Sequence, residues 1–329
     1  LVKWLFFILL INGIWMAYLA YYHGTEYLQE FVYYQLRYLS TEAAVEADPW
    51  YFHFMMLFIG CYPASAFVFQ GFKLQSYEPI YQSVMRRMMV ACLIVIVIIF
   101  TILKSKVINY TSVAYFPITY LATYNIHRIF KGEIKWTWLE LLVLISIGVF
   151  WSIVLIGIPF SGAHIDIIQP FIREPNIIEL LKIKVQWQEW EMVFGIAFAF
   201  FFLVSLVLFF LKKNIAAVLI LFLSSGYIIQ ILSIYFVPKF EKYWQGSMIE
   251  FYQTNKNPDA NFAPLNHKSC AHLFYGRTTK TQIETIDTLP NTTGREFYYT
   301  SPKYSQDSIP ANYHLTKLYE KDGYVFWTK

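Results

Sequence analysis

Residues 192 to 211 read MVFGIAFAFFFLVSLVLFFL, without a charged side chain among them. A run of about 20 apolar residues is what a helix needs to cross the hydrocarbon core, where no water is present to satisfy an unpaired backbone group. The stretch reads as a membrane-spanning helix and fixes the solvent in which the rest must be read. Two neighbours in type, Ile215 to Val237 and Met88 to Leu103, are also free of charge. Four more runs join them: Trp4 to Tyr22, Trp50 to Gln70, Ser112 to Ile126 and Trp138 to Pro159, the third of these interrupted by Pro117 and several polar residues. Composition agrees. The chain is 57% hydrophobic, 20% aromatic and only 15% charged, against about 25% charged in soluble domains. The expected class is an α-helical polytopic membrane protein with about seven spans, residues 1–237, followed by a small α+β domain, residues 238–329.

The net charge of +4 comes from cations scattered along 329 residues, so no basic face is offered to a nucleic acid. Cys61 and Cys92 lie in apolar runs and Cys270 stands alone in the polar tail, which implies no disulfide framework. Cations in the short loops set the orientation. Lys73, Arg86 and Arg87, then Arg128, Lys131 and Lys135, then Lys212 and Lys213 follow the second, fourth and sixth runs. That side is expected in the cytoplasm. His23 to Pro49, Lys104 to Thr111, Phe160 to Glu191 and everything after Pro238 are then expected outside. Within the tail, Glu241 to Thr254 has an amphipathic helical pattern, and Ala271 to Tyr275, Glu296 to Thr300, Tyr313 to Tyr319 and Tyr324 to Thr328 read as strands. Lys321-Asp322-Gly323 marks a hairpin.

Two external stretches carry chemistry. The first is Lys104-Ser105-Lys106 to Tyr110, with Tyr115-Phe116-Pro117 behind it. Two cations and a phenol at one membrane edge could hold an anionic lipid headgroup; they could equally be snorkelling lysines and an aromatic-belt tyrosine. The second is His23 to Tyr51, in which Arg37 could present a planar fork to a phosphate or pair with Glu42 or Glu46. His23 and His53 are separated by a long loop without flanking cysteines or paired carboxylates, so neither a metal nor any other cofactor is expected.

Together these stretches resemble a family. Tyr22-His23-Gly24 to Glu30-Phe31, Arg37-Tyr38, Asp48-Pro49-Trp50-Tyr51, Gly60-Cys61-Tyr62-Pro63, Lys104-Ser105-Lys106 to Tyr110 and Tyr115-Phe116-Pro117 look like polyprenyl-phosphate-dependent glycosyltransferases of the GT-C membrane fold. Lipid A aminoarabinose transferases and protein O-mannosyltransferases are examples. The resemblance covers Trp15 to Thr123 by motif and the rest by topology. It departs at Ile108-Asn109, where the family turn usually has Pro-His, and at Tyr34, where some relatives carry a metal-binding histidine.

The resemblance implies transfer of a sugar from a polyprenyl or dolichyl phosphate to a lipid or protein acceptor on the extracytoplasmic face of a membrane, here expected to be the bacterial inner membrane. The lipid phosphate leaves and an acceptor hydroxyl attacks the anomeric carbon. Arg37, Lys106, Tyr110 and Lys104 are the residues expected to hold the phosphate. The family's catalytic base lies in the first external loop near the N-terminus of the full protein, so it is expected upstream of Leu1, and this chain alone is expected to be inactive. Two rival classes stand beside this reading. A transporter would place ionisable residues or broken helices near the midplane, and only His53, Glu140 and the Pro117 break are candidates. A non-catalytic membrane subunit would present the tail to a partner.

Overall fold

The computed structural model describes residues 2–40, 49–73, 78–102, 108–171, 183, 185–257, 260–267, 269–277, 296–309 and 314–329. Among the described residues, four helical stretches are long and apolar enough to cross a membrane: Ile80–Ile102, Trp138–Ala163, Glu189–Phe210 and Asn214–Thr254. A fifth is possible if the bent pair Phe52–Gly60 and Ala64–Phe72 counts as one span. The chain is a polytopic helical membrane protein with a small sheet domain at its C-terminus. It divides into two compact units, Leu1–Gly148 with Val207–Leu219 and Val149–Leu206 with Ile220–Lys329.

The first unit opens with α1 (Val2–His23) and α2 (Thr25–Ser40). Gly24 between them has φ +85°, a left-handed conformation that ends a helix at no steric cost to glycine. The stretch expected as external loop is therefore helical for sixteen residues. Then the expected span Trp50 to Gln70 breaks. Its first part is α3 (Phe52–Gly60), its second a pair of 3-10 turns, Ala64–Phe67 and Phe69–Phe72, and the two parts meet at 101°. Irregular backbone at membrane depth persists only where protein groups satisfy it. Here Ser65 Oγ donates to Phe58 O (2.6 Å), Asn125 Nδ2 to Phe67 O (2.5 Å) and Arg86 Nη1 to Gly71 O (2.9 Å).

Helix α4 (Ile80–Ile102) packs with α3 and α5 (Tyr115–Phe130) around Leu57, Leu93, Ile96, Ile118 and Leu121. Pro117, expected to interrupt the fourth run, sits in the first turn of α5, where a missing N–H costs no helical bond. Helix α6 (Trp138–Ala163) begins with Thr137 and Glu140 capping each other's backbone N–H, the reciprocal arrangement of a Thr-x-x-Glu start. Glu140 thus lies at the end of its helix. It also accepts from Gln70 Nε2 at 2.9 and 3.1 Å, tying the bent segment to α6.

In the second unit, α7 (Ile165–Ile168) follows α6, and α8 (Met192–Phe210) packs against the Leu155 and Ile156 turn of α6. A Cβ on Gly195 would sit 2.5 Å from Ile156 Cγ1 and 2.6 Å from Ile156 N. Only glycine permits this approach, as at other close helix crossings in membranes. Beside it is an apolar cavity of about 440 Å³ lined by Ser152, Ile156, Phe160, Ala199, Phe202 and Leu203.

Helix α9 (Asn214–Ile231) runs through a π turn, Leu232–Phe236, into α10 (Val237–Thr254). The boundary expected at residues 237 and 238 falls inside this continuous helix. Pro238 removes the N–H that would bond four residues back, and the wider turn immediately before it absorbs the mismatch.

The C-terminal sheet has strands β1 (Ala260–Pro264), β2 (Glu296–Pro302), β3 (Thr316–Lys321) and β4 (Tyr324–Thr328) in the order β1-β2-β4-β3. β1 and β2 are parallel, and the other pairs antiparallel. One face packs on α10 through Met248, Phe251, Tyr252, Phe262 and Phe326; the other gathers Leu265, Phe297, Tyr299, Val325 and Trp327. The hairpin is where the sequence places it, with Asp322 and Gly323 at φ +53° and +77°, as a type I′ turn requires. Ala271 to Tyr275 is not the expected strand but a short helix, α11 (Ala271–Tyr275). Ser269 Oγ accepts from Ala271 N (3.2 Å), and Ala271 and Tyr275, four apart, both face the core at α10.

Candidate functional site

The residues expected to hold a lipid phosphate are placed unequally. Lys104 and Lys106 lie outside the described residues, as do Glu42, Glu46 and Asp48. Arg37 is on α2, its side chain likewise undescribed. Tyr110 lies in a 3-10 helix, Ile108–Ala114, that packs on α3, α4 and α5. Its ring stacks on Phe100 of α4 at 6.3 Å, and Phe100 in turn lies 5.7 Å from the fully buried ring of His53 on α3. Aromatic pairs at these separations favour offset or tilted contact. Tyr110 is therefore half-buried against α3, α4 and α5, four residues after Lys106 in sequence.

A second polar cluster in the same unit gathers the Gly71 turn, the start of α4 and α5. Arg86 holds Glu78 with Nε (3.1 Å) and Nη2 (3.0 Å) and reaches Gly71 O with Nη1, while Tyr124 Oη donates to Glu78 at 2.5 Å. Both charged side chains are 3% exposed. Burial alone would raise the Glu78 carboxyl, but the hydrogen bonds from Arg86 and Tyr124 and the guanidinium charge outweigh it and hold the group below its usual range. This pair has the fork geometry that favours arginine over lysine. In the sequence, Arg86 stands out only as a topological cation, although its carboxylate partner Glu78 lies eight residues earlier.

In the second unit, Lys239 of α10 pairs with buried Glu191 and lies 4.4 Å from the centre of the Trp187 ring. Trp187 Nε1 donates to Tyr243 Oη at 3.1 Å. Glu191 also closes a capping box with Gln188 before α8. Among the described residues no three His, Cys, Asp or Glu side chains converge in a group that could hold a metal ion.

Neither a family model nor a curated protein sequence matches the chain. Among solved structures it is similar to ArnT from Cupriavidus metallidurans bound to undecaprenyl phosphate, with TM-score 0.60 and 10% identity, over 97% of this chain and 59% of that one. The chain has a GT-C-like fold. At this identity the likeness is one of backbone, and the chain spans little more than half the length of that structure.

Proposed function

We propose that this chain is part of a membrane glycosyltransferase that takes a sugar from a polyprenyl phosphate and passes it to a lipid or protein acceptor on the extracytoplasmic face of a bacterial inner membrane. The observation that carries the reading is the fold shared over nearly the whole chain with ArnT, a protein whose structure holds undecaprenyl phosphate. The sequence motifs from Tyr22 to Pro117 point to the same class independently.

In this reading Arg37, Lys106, Tyr110 and Lys104 hold the lipid phosphate. As the bond to the anomeric carbon breaks, charge grows on the departing phosphate, and cations fixed at a partly dry membrane edge stabilise it more than they stabilise the ground state. Tyr110 contributes a hydroxyl whose ring is already held by Phe100. A transporter remains the rival class, because the 101° break between Phe52 and Phe72 is the kind of interruption transporters use. The break disfavours that reading in one respect: Ser65, Asn125 and Arg86 bond its backbone carbonyls from within the protein.

Binding in lipid nanodiscs tests the proposal. Undecaprenyl phosphate should bind saturably and raise the apparent Tm, whereas undecaprenol, which lacks the phosphate, should not. Arg37→Gln and Lys106→Gln should each weaken binding about tenfold or more, since a contact to a charged group is worth about 1.5–3 kcal/mol. Lys73→Gln should leave it unchanged. Equal binding of the phosphate and the alcohol would overturn the proposal.

A further inference from the structure

We infer that the C-terminal domain docks on the bilayer surface through α11, with Phe274 as the inserted side chain. Four observations converge on that ridge, three within the second unit and one along the continuous helix that enters it.

The first is an exposed apolar stripe on α10. Val237 (56% exposed), Phe240 (45%) and Trp244 (64%) are spaced i, i+3 and i+7, so they share one helix face. The second is where α11 lies. Tyr275 Oη donates to Glu241 Oε1 at 3.2 Å, and Glu241 belongs to the same stripe. Helix α11 therefore flanks the stripe at the level of residue 241. Its Ala271 and His272 are buried, while Phe274 is 76% exposed on the outer side.

The third observation is depth. The helix Asn214–Thr254 is continuous and apolar through its first half. Starting from Ile215, a hydrocarbon core of about 30 Å takes roughly 20 residues, to the neighbourhood of Ile234. Phe240 and Glu241 follow roughly 9–10 Å later, just above a headgroup layer about 5–7.5 Å deep. Helical side chains lean toward the N-terminus of their helix, which for α10 is the membrane side, so Phe240 and Trp244 lean back toward lipid. The fourth is composition. Aromatic rings are the side chains that settle at a membrane interface, and exposed Arg277, two residues past the end of α11, adds a cation that suits anionic headgroups. Lys242 lies on the opposite face of α10, and Glu241, on the stripe's own face, is tied to Tyr275.

A bilayer fits this surface because the ridge continues the lipid-facing side of a membrane helix. Docking of this kind would hold the sheet domain at a fixed height over the membrane edge. The inference concerns the domain's placement and does not depend on the proposed reaction.

The full chain in nanodiscs of phosphatidylethanolamine and phosphatidylglycerol provides the test. A nitroxide is attached at Phe274→Cys after Cys61, Cys92 and Cys270 have been replaced by serine, and a second label at Gln253→Cys, about 18 Å farther along α10, serves as the aqueous control. Oxygen concentrates in lipid and a neutral nickel chelate in water. The label at 274 should be relaxed severalfold more by oxygen than by the chelate, with the reverse at 253. Equal chelate access at the two sites would overturn the inference. So would shielding of 274 from both reagents, which would mean that a second copy or another protein covers the ridge. Arg277→Cys gives the same reading from the far end of α11 if substitution at 274 unfolds the domain.

Discussion

Replacing Glu78 by glutamine should be among the most damaging single changes in the first unit. The carboxylate accepts from two nitrogens of Arg86 and from Tyr124, and Arg86 and Glu78 are each 3% exposed. Glutamine keeps the volume and one acceptor but removes the charge, leaving a buried guanidinium with no counter-charge, bonded to the Gly71 carbonyl and to the one amide oxygen that remains. Breaking a buried pair from one side costs about 3–5 kcal/mol, and the retained acceptor argues for the lower end. For a unit of this size about 3 kcal/mol lowers the apparent Tm by roughly 6–12 °C. Thermal unfolding in detergent, followed by tryptophan fluorescence, measures it. The double variant Glu78→Gln/Arg86→Met should recover much of the loss, because no charge is then left unpaired. The pH dependence has a definite sign. Glu78 is held below its ordinary pKa when folded, so its contribution is complete above the unfolded value, near 4.5, and fades as pH falls below it. An apparent Tm for Glu78→Gln within about 1 °C of the parent, or a double variant worse than the sum of the singles, would refute the reasoning.

Four further outcomes are expected. Gly195→Ala should separate α6 from α8, since its Cβ would lie 2.5–2.8 Å from Ile156 and the Leu155 backbone; overpacking of this kind costs about 1–3 kcal/mol, readable as a lower apparent Tm. Lys239→Met should destabilise the second unit by leaving Glu191 buried without its ammonium, and Glu191→Gln in the same chain should partly restore it. Burial lowers the His267 and His272 pKa values, so both are held neutral in the folded C-terminal domain; its stability should be full above about pH 6.5 and decline as pH falls below that value, when the unfolded chain takes up protons that the fold resists. A membrane-impermeant thiol reagent applied to intact cells should label a cysteine placed at Gln253 but not one placed at Lys213, and the opposite pattern would invert the proposed orientation.

The membrane class was legible because its signal is local: an uncharged run such as residues 192 to 211 has few other uses. The hairpin at Asp322-Gly323 was legible for the same reason. The break after Gly60 was not. Every residue from Trp50 to Gly60 fits a straight span; Pro63 and the Ser65 bond to Phe58 O are local, but the other two bonds that hold the bend come from Arg86 and Asn125, 15 and 58 residues from the carbonyls they reach. β1 escaped notice because its five residues contain a proline and an asparagine, and its parallel pairing to β2 spans a gap in sequence that no local pattern marks. Ala271 to Tyr275 was misread through its aromatic content. Strand propensity describes how a residue fits a half-buried pleated surface, and here the same side chains meet α10 at helical spacing.

For the site, residue chemistry alone left each reading double. Lys104, Lys106 and Arg37 gain a role only through family resemblance, and of the four expected phosphate ligands only Tyr110 has a described side-chain environment. Arg86 shows how one cation can serve two arguments. It counts toward the expected cytoplasmic side in the loop tally, whereas the structure places it inside α4, paired with Glu78. Its energetic role is separate and invisible in the tally: a charge that faces water needs no partner, whereas this one is 3% exposed and must have one. The same distinction applies to Lys106. If it snorkels, neutralising it changes binding little; if it meets a phosphate, the loss is about tenfold or more. Measured affinity for undecaprenyl phosphate therefore decides what spacing cannot, since both roles require the same residue at the same membrane edge.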